Sequence, residues 1–500
     1  METIARAEIA TASPPSSRVG PAMRALLLTH RYLGVAMGLV MTLWCLSGFV
    51  MMYRGYPQLS EAARLRGLPS LRLTARPAVL PMANGDQISH FQIEMRADHP
   101  VLRWEARSGG WRSVDLQTGG PAPASIDPQE ALAIAKTYAA GSGVAGIPRD
   151  IGVIAKDQWT VEDAKRNGPV HHIRFDDPPA TEIYIADRTG KVVQATTRAA
   201  RIWAWLGAVP HWLYPTVLRQ NGVLWANVVI WTSLAGSFLT ITGLYVGILR
   251  FRRSKSDRWS PYRGWLYWHH LIGLVFGLLT LTWVASGLMT MNPWGLLETP
   301  VEAVQRRVLA GDITGAVLKA FVAKAPLDGE YVELKAAPLG GRLFVMAIGR
   351  DGRAVRLDGN ARVSPLAMAE VIGAIRATNP LRIGDFTLLS TEDDYYYSGY
   401  DGAVQLPVYR ARLADPDATT LYIDAASGQV VRTVDGAARV SRWLRTGLHD
   451  WDFGALRRRP LWDVVVVSLL LGVTAVCALG AWLGLLRMRR DWMDLKSRRP

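Results

Sequence analysis

The sequence predicts a helical membrane protein, a four-helix transmembrane bundle with two α+β domains outside the membrane, built as a parallel internal duplication. Three observations lead there. Four apolar runs are each long enough to cross a hydrocarbon layer of ~30 Å, which takes about 20 helical residues. Large polar blocks separate the first run from the second and the third from the fourth. One shift of 237 to 239 residues lays the first half of the chain on the second.

Composition agrees. The 500 residues are 49% hydrophobic and 20% charged, with a mean hydropathy of +0.09, as expected for apolar spans diluted by polar domains. That apolar content excludes a disordered or collagen-like chain, and two cysteines cannot staple a disulfide scaffold. Both cysteines, Cys45 and Cys477, lie inside apolar runs and read as small buried hydrophobes.

In order, the chain reads as a cytoplasmic tail (1–24), a first span (25–53), a polar domain (54–200) and an interfacial segment with His211 (201–221). A second span (222–250), a cytoplasmic loop (251–264) and a third span (265–294) follow. A second polar domain (295–440), an interfacial segment with His449 (441–460), a fourth span (461–487) and a tail (488–500) complete it. The first run is too long for a signal-peptide core and no small-residue cleavage site follows it, so it reads as a retained helix.

Charge orients the spans. The loop RFRRSKSDRWSPYR holds six basic residues against Asp257, and the tail RMRRDWMDLKSRRP holds six against Asp491 and Asp494. Together they carry most of the net charge of +15. The positive-inside rule places both segments and both termini in the cytoplasm, with the polar domains on the opposite side. Membrane topology therefore accounts for the basic balance, and nucleic acid is not an expected partner. None of the cytoplasmic segments is long enough for a dinucleotide-binding fold.

The repeat is legible in four places. HRYLGVAMGLVMTLWCLSG aligns with HHLIGLVFGLLTLTWVASG, setting His30 on His269, Gly34 on Gly273, Gly38 on Gly277, Trp44 on Trp283 and Ser47-Gly48 on Ser286-Gly287. DPPATEIYIADRTGKVV aligns with DPDATTLYIDAASGQVV, and WLGAVPHW with WLRTGLHD, which sets His211 on His449. GLYVGILRFRR aligns with GAWLGLLRMRR. The halves share one orientation, so a pseudo-twofold axis along the membrane normal should relate them. Each polar domain shows a helix-like stretch (128–140; 364–377), then strand-like alternation and a hairpin signal at Thr189-Gly190 or Ser427-Gly428. Asp394-Tyr395-Tyr396-Tyr397 falls on Asp157-Gln158-Trp159-Thr160, either as an aromatic strand in the core or as an aromatic face for a substrate.

The repeat also sorts the nine histidines. His30 and His269 lie about one turn inside the cytoplasmic ends of the first and third spans, and His211 and His449 lie before Trp225 and Trp462, at the outer face. An ionisable side chain in a span is a functional candidate, although one such histidine can simply bond a neighbouring helix. Under a twofold axis each pair faces inward from opposite helices, the geometry of bis-histidine ligation of a haem iron. Gly34 and Gly273 follow His30 and His269 by four residues and leave that helix face bare. Gly-x-x-x-Gly recurs at 34/38, 243/247, 273/277 and 480/484, suited to close helix packing, to clearance for a flat macrocycle, or to both.

Trp44 and Trp283 are either packing residues or lie between two cofactors. His270 competes with its neighbour His269 as a ligand, and His171-His172 reads either as a metal-binding pair or, more in keeping with a polar loop, as an incidental exposed pair. The sequence has no dinucleotide-binding glycine motif, P-loop or zinc-protease motif. It also has no Cys-x-x-Cys-His, so any haem would be non-covalent and b-type.

The starts His30-Arg-Tyr-Leu-Gly34 and His269-His-Leu-Ile-Gly273, the Leu-His-Asp-Trp at 448–451 and the Tyr-Tyr-Tyr at 395–397 resemble the PepSY-associated transmembrane family. Within it, they resemble the dihaem inner-membrane ferric-siderophore reductases of Gram-negative bacteria. The resemblance spans nearly the whole chain. It implies two periplasmic PepSY-type domains and two non-covalent b-type haems, with His30 and His269 as inner axial ligands and His211 and His449 as outer ones. It further implies electron flow from a quinol or separate donor to a ferric siderophore or similar iron complex. One departure is the Val-Pro before His211, where Gly-Leu precedes His449. Two other readings stand beside this one: a non-enzymatic membrane module whose PepSY-type domains bind or inhibit partners such as peptidases, and a transporter. Against a transporter speak span midplanes almost free of charge and the lack of Pro-broken helices.

Overall fold

A computed structural model of the chain describes residues 20–76, 79–107, 109–251, 259–297, 301–378, 382–399 and 402–497. Most of the N-terminal tail, the basic loop stretch 252–258 and the last basic residues, Arg498 and Arg499, lie outside the described residues. The chain forms two compact units. One comprises Met1–Tyr56, Ile202–Leu297 and Val440–Pro500; the other comprises Pro57–Arg201 and Glu298–Arg439.

Among the described residues the first unit holds four helices long and apolar enough to cross a membrane: Pro21–Met51, Gly222–Arg250, Trp265–Thr290 and Leu461–Ser497. Pro21 opens the first helix at a position whose N–H would be unpaired anyway. The Asn221 side chain caps the second by accepting from the Leu224 N–H at 3.0 Å. The third helix stops at Thr290, earlier than the apolar run suggests, because Asn292 and Trp294 adopt left-handed conformations (φ 45° and 58°) that no helix continues through. The fourth runs well past its apolar stretch, its polar end carrying an Arg487–Asp491 pair one turn apart at 3.1 Å.

Small residues bring these helices together. A Cβ on Gly38 would stand 3.0 Å from the Ala481 backbone, and one on Gly277 only 2.6 Å from Leu244. Those glycines therefore serve close packing. Met37, Met41, Leu239, Val473 and Cys477 form the bundle core, where the sulfurs of Cys45 and Cys477 lie 3.9 Å apart as free thiols.

Among the described residues the second unit contains three antiparallel sheets. The first-half strands β1 (Gln87–Arg96), β2 (His99–Ala106) and β3 (Trp111–Asp115) precede a four-stranded sheet of β4 (Pro148–Ile154), β5 (Val170–Phe175), β6 (Glu182–Ala186) and β7 (Val192–Thr196). In the second half, β8 (Ile313–Thr314), β9 (Glu333–Ala336), β10 (Phe344–Ile348) and β11 (Ala354–Asp358) precede a four-stranded sheet of β12 (Ile383–Leu389), β13 (Val408–Leu413), β14 (Thr420–Asp424) and β15 (Val430–Val434). The helix Pro128–Ser142 packs Ala131 and Ala135 on Ile173, Ile183 and Ile185, and Met368–Thr378 packs Val371 and Ile375 on Ala411, Leu421 and Ile423. Gly190 (φ 67°) and Gly428 (φ 80°) turn the last hairpin of each four-stranded sheet, as the hairpin signals anticipate.

The remaining strands make one shared sheet, in the order β11-β10-β9-β1-β2-β3 with β8 also on β1. The sequence reading, one α+β domain per half, does not anticipate this sheet, because strand pairing across more than 200 residues leaves no local signature. Its core holds Phe91, Ile93, Leu102, Trp104, Phe321, Leu334 and Val345.

At the β1–β9 seam Glu94 stands directly opposite Glu333, both almost fully buried. Like charges so placed repel, and the Arg64 guanidinium bridges both carboxylates. Lys191 and Arg103 also reach Glu94, at 2.8 and 3.3 Å, and the Gln92 amide donates to Glu333. Burial pushes Glu94 up, but Lys191, Arg64 and Arg103 outweigh it and hold its carboxyl down to about 2, while burial and the Glu94 charge raise Glu333.

Two local readings need correction. His171 and His172 are not an exposed loop pair. They lie on β5, and His171 is buried between Asp150 and Asp187 with both nitrogens engaged. The aromatic segment is shifted by one residue. Asp393, not Asp394, takes the role of Asp157, since each accepts the hydroxyl of the β14 or β6 tyrosine, Tyr422 at 2.8 Å and Tyr184 at 2.7 Å. Tyr396 is buried and stacks on Tyr422 at 5.2 Å, so it is a core residue outside any regular strand.

Candidate functional site

All four repeated histidines lie in the membrane unit. His30 and His269 are on the first and third membrane helices. His211 ends the short helix Ala208–His211, and His449 sits in Leu448–Asp450. The His211 and His449 ring centres are 6.2 Å apart with planes inclined at 55°. Burial, and to a lesser extent His449 nearby, pushes His211 down to about 4, so it is neutral at physiological pH. Among the described residues no cluster of three or more His, Cys, Asp or Glu is set to hold a metal ion. His211 and His449 stand as a pair.

Each ring meets the same local design. The Nδ1 of His211 lies 3.1 Å from the Trp44 carbonyl and 3.2 Å from Ser47 Oγ. The Nδ1 of His449 lies 3.3 Å from the Trp283 carbonyl and 3.2 Å from Ser286 Oγ. The Nδ1 of His30 lies 3.1 Å from the Leu239 carbonyl and 3.3 Å from Thr242 Oγ1. In all three the hydroxyl donates its own proton to a backbone carbonyl. A carbonyl can only accept, so Nδ1 carries a proton, and in the neutral ring that tautomer leaves the lone pair on Nε2. No Nε2 of the four repeated histidines makes a hydrogen bond among the described residues.

The residue after each clamp position is glycine, and it faces the ring. Cβ atoms built on Gly48, Gly287, Gly243 and Gly480 would stand 3.7, 3.3, 2.6 and 3.1 Å from Cε1 of His211, His449, His30 and His269 respectively. The sequence carries the sign of this in Ser47-Gly48, Ser286-Gly287 and Thr242-Gly243, which close the same i, i+3, i+4 pattern on three helices. Reading the glycines alone misses the hydroxyls.

His269 and His270 separate clearly. His270 is buried with Nδ1 at 2.8 Å from Ser260 Oγ and Nε2 at 2.9 Å from the Gly247 carbonyl, so neither nitrogen is free for a ligand. Trp283 is a packing and bonding residue whose indole donates to the His449 carbonyl at 2.9 Å.

The arrangement fits a haem iron. Imidazole nitrogens bind a metal at about 2.0 Å, so two rings on opposite sides of one iron stand about 6 Å apart centre to centre, close to the 6.2 Å between His211 and His449. Beside His269, a Cβ on Gly273 would meet no atom within 4 Å, and one on Gly34 would meet only Leu239 Cδ1 at 3.8 Å. A flat macrocycle would have room on that bare surface.

Four apolar spans, α+β sheet domains and histidine pairs define a multi-pass membrane protein with its candidate site inside the helical unit. A family profile described as the PepSY-associated TM region matches residues 27–487, and the chain belongs to that family. No curated protein matches the chain.

Proposed function

We propose that the chain is a dihaem b-type electron conduit of a bacterial inner membrane. It would pass electrons from a quinol or cytoplasmic donor to a ferric siderophore or similar complex, releasing iron as Fe(II). The observation that carries this reading is the His211–His449 pair, two imidazoles at ligating separation with both Nδ1 atoms tied back. His30 and His269 would hold the inner haem, and His211 and His449 the outer. When bound, haem supplies one-electron chemistry at a potential set by its ligands and surroundings.

The protein's part is to orient and to insulate. The Trp44, Trp283 and Leu239 carbonyls fix the tautomer of three rings, and the glycines facing the rings let them seat against the helices. The apolar bundle core keeps bulk water from the path between the pairs. The contacts recur at the spacing of the sequence repeat, which supports a parallel duplication about an axis along the membrane normal. Arg250, Arg263, Arg487, Arg489 and Arg490 at one end of the helices support cytoplasmic termini and periplasmic PepSY-type domains.

The test is direct. Protein purified in detergent should be red, with a dithionite-reducible low-spin spectrum and two haems per chain by pyridine haemochrome. The reduced protein should turn a ferric hydroxamate into chelatable Fe(II). A colourless preparation from haem-replete cells would refute the proposal.

A further inference from the structure

The four histidine sockets are not equal. His211, His449 and His30 are each clamped by a backbone carbonyl and by a hydroxyl three residues further along the same helix. For His269 the corresponding carbonyl is that of Val476, and the residue three further along is Leu479, which has no hydroxyl. The glycine that follows is kept, with Gly480 against His269 Cε1 at 3.1 Å. His269 turns towards the Val476 carbonyl without hydrogen-bond geometry, and its Nδ1 is buried with no partner.

We infer that His269 is the exchangeable member of the four ligands, and that Ser47, Ser286 and Thr242 are positioning residues that hold the other three. The inference rests on the haem reading above. A partner on the outer nitrogen of a ligating imidazole fixes the ring and raises its basicity, and losing such a partner weakens a metal bond about 10- to 100-fold. Leu479 has imposed that loss on one ring of the inner pair. The inner centre is thus a binding site for a small uncharged ligand that displaces His269, while the outer centre stays closed. The exchange swaps one neutral donor for another, so no electron or proton moves.

Carbon monoxide added to the dithionite-reduced full-length protein tests this. In the unaltered protein about half of the haem should bind carbon monoxide; His30→Ala should remove that reactive half, whereas His269→Ala should keep it and speed its reaction, since no ligand has to leave. Leu479→Thr, which restores the hydroxyl, should slow the reaction by about 10-fold or more. Ser286→Ala should bring the second half of the haem into reaction, and Thr242→Val, nearly isosteric, should speed the first. A red protein with two haems that react alike, or a Leu479→Thr variant of unchanged rate, overturns the inference and leaves the haem reading standing. A protein without haem overturns both.

Discussion

His211 and His449 face one another at 6.2 Å, and each is held from behind by the carbonyl of a tryptophan, Trp44 or Trp283, on a membrane helix. If they share one iron, neither can ligate alone. His211→Ala, His449→Ala and the double substitution should each reduce haem from two to one per chain and remove the same low-spin signal from the electron paramagnetic resonance spectrum. Additive losses from the two single substitutions would count against a shared site.

His270 gives a contrasting outcome one residue away from a proposed ligand. Its nitrogens are occupied by Ser260 and Gly247, so it fastens the segment before the third helix to the second helix. His270→Ala should keep both haems by pyridine haemochrome and lower the melting temperature, with a cost of about 1–3 kcal/mol for the polar partners left bare. His269→Ala should do the reverse, leaving the melting temperature in place while removing the low-spin spectrum of the inner haem.

Gly273 distinguishes room for a macrocycle from helix packing. A Cβ there meets nothing within 4 Å, whereas one at Gly277 runs into Leu244. Gly273→Leu should therefore leave the bundle folded by circular dichroism and abolish the inner haem. Full haem occupancy in that variant would show that the space has no cofactor role.

The carboxylate seam of the polar unit should be visible in acid. The carboxyl of Glu94 is depressed to about 2 in the folded protein, so its stabilisation is present above the usual carboxylate range and is lost as pH falls from about 4.5 towards 2. Glu333, raised, runs in the opposite direction. Glu94→Gln should therefore flatten the loss of melting temperature over that window relative to the unaltered chain. Arg64→Ala, which removes the cation common to both carboxylates, should cost about 3 kcal/mol at neutral pH.

Some of this was written in the linear chain. Apolar runs of sufficient length dictate membrane helices because an unpaired peptide group cannot stay in hydrocarbon. The repeat picked out His30, His211, His269 and His449 from nine histidines, and Gly190 and Gly428 marked their hairpins, since each is a local property of residue type and order. Tertiary structure decided what depends on residues far apart. Only packing shows that Ser260 and Gly247 occupy His270, that Asp393 rather than Asp394 meets Tyr422, and that β1 pairs with β9 to set Glu94 against Glu333. The hydroxyls that clamp three imidazoles, and the leucine that leaves His269 unheld, sit more than 160 residues from the rings they serve, and hydrogen bonds of 3 Å become legible only when the helices are side by side.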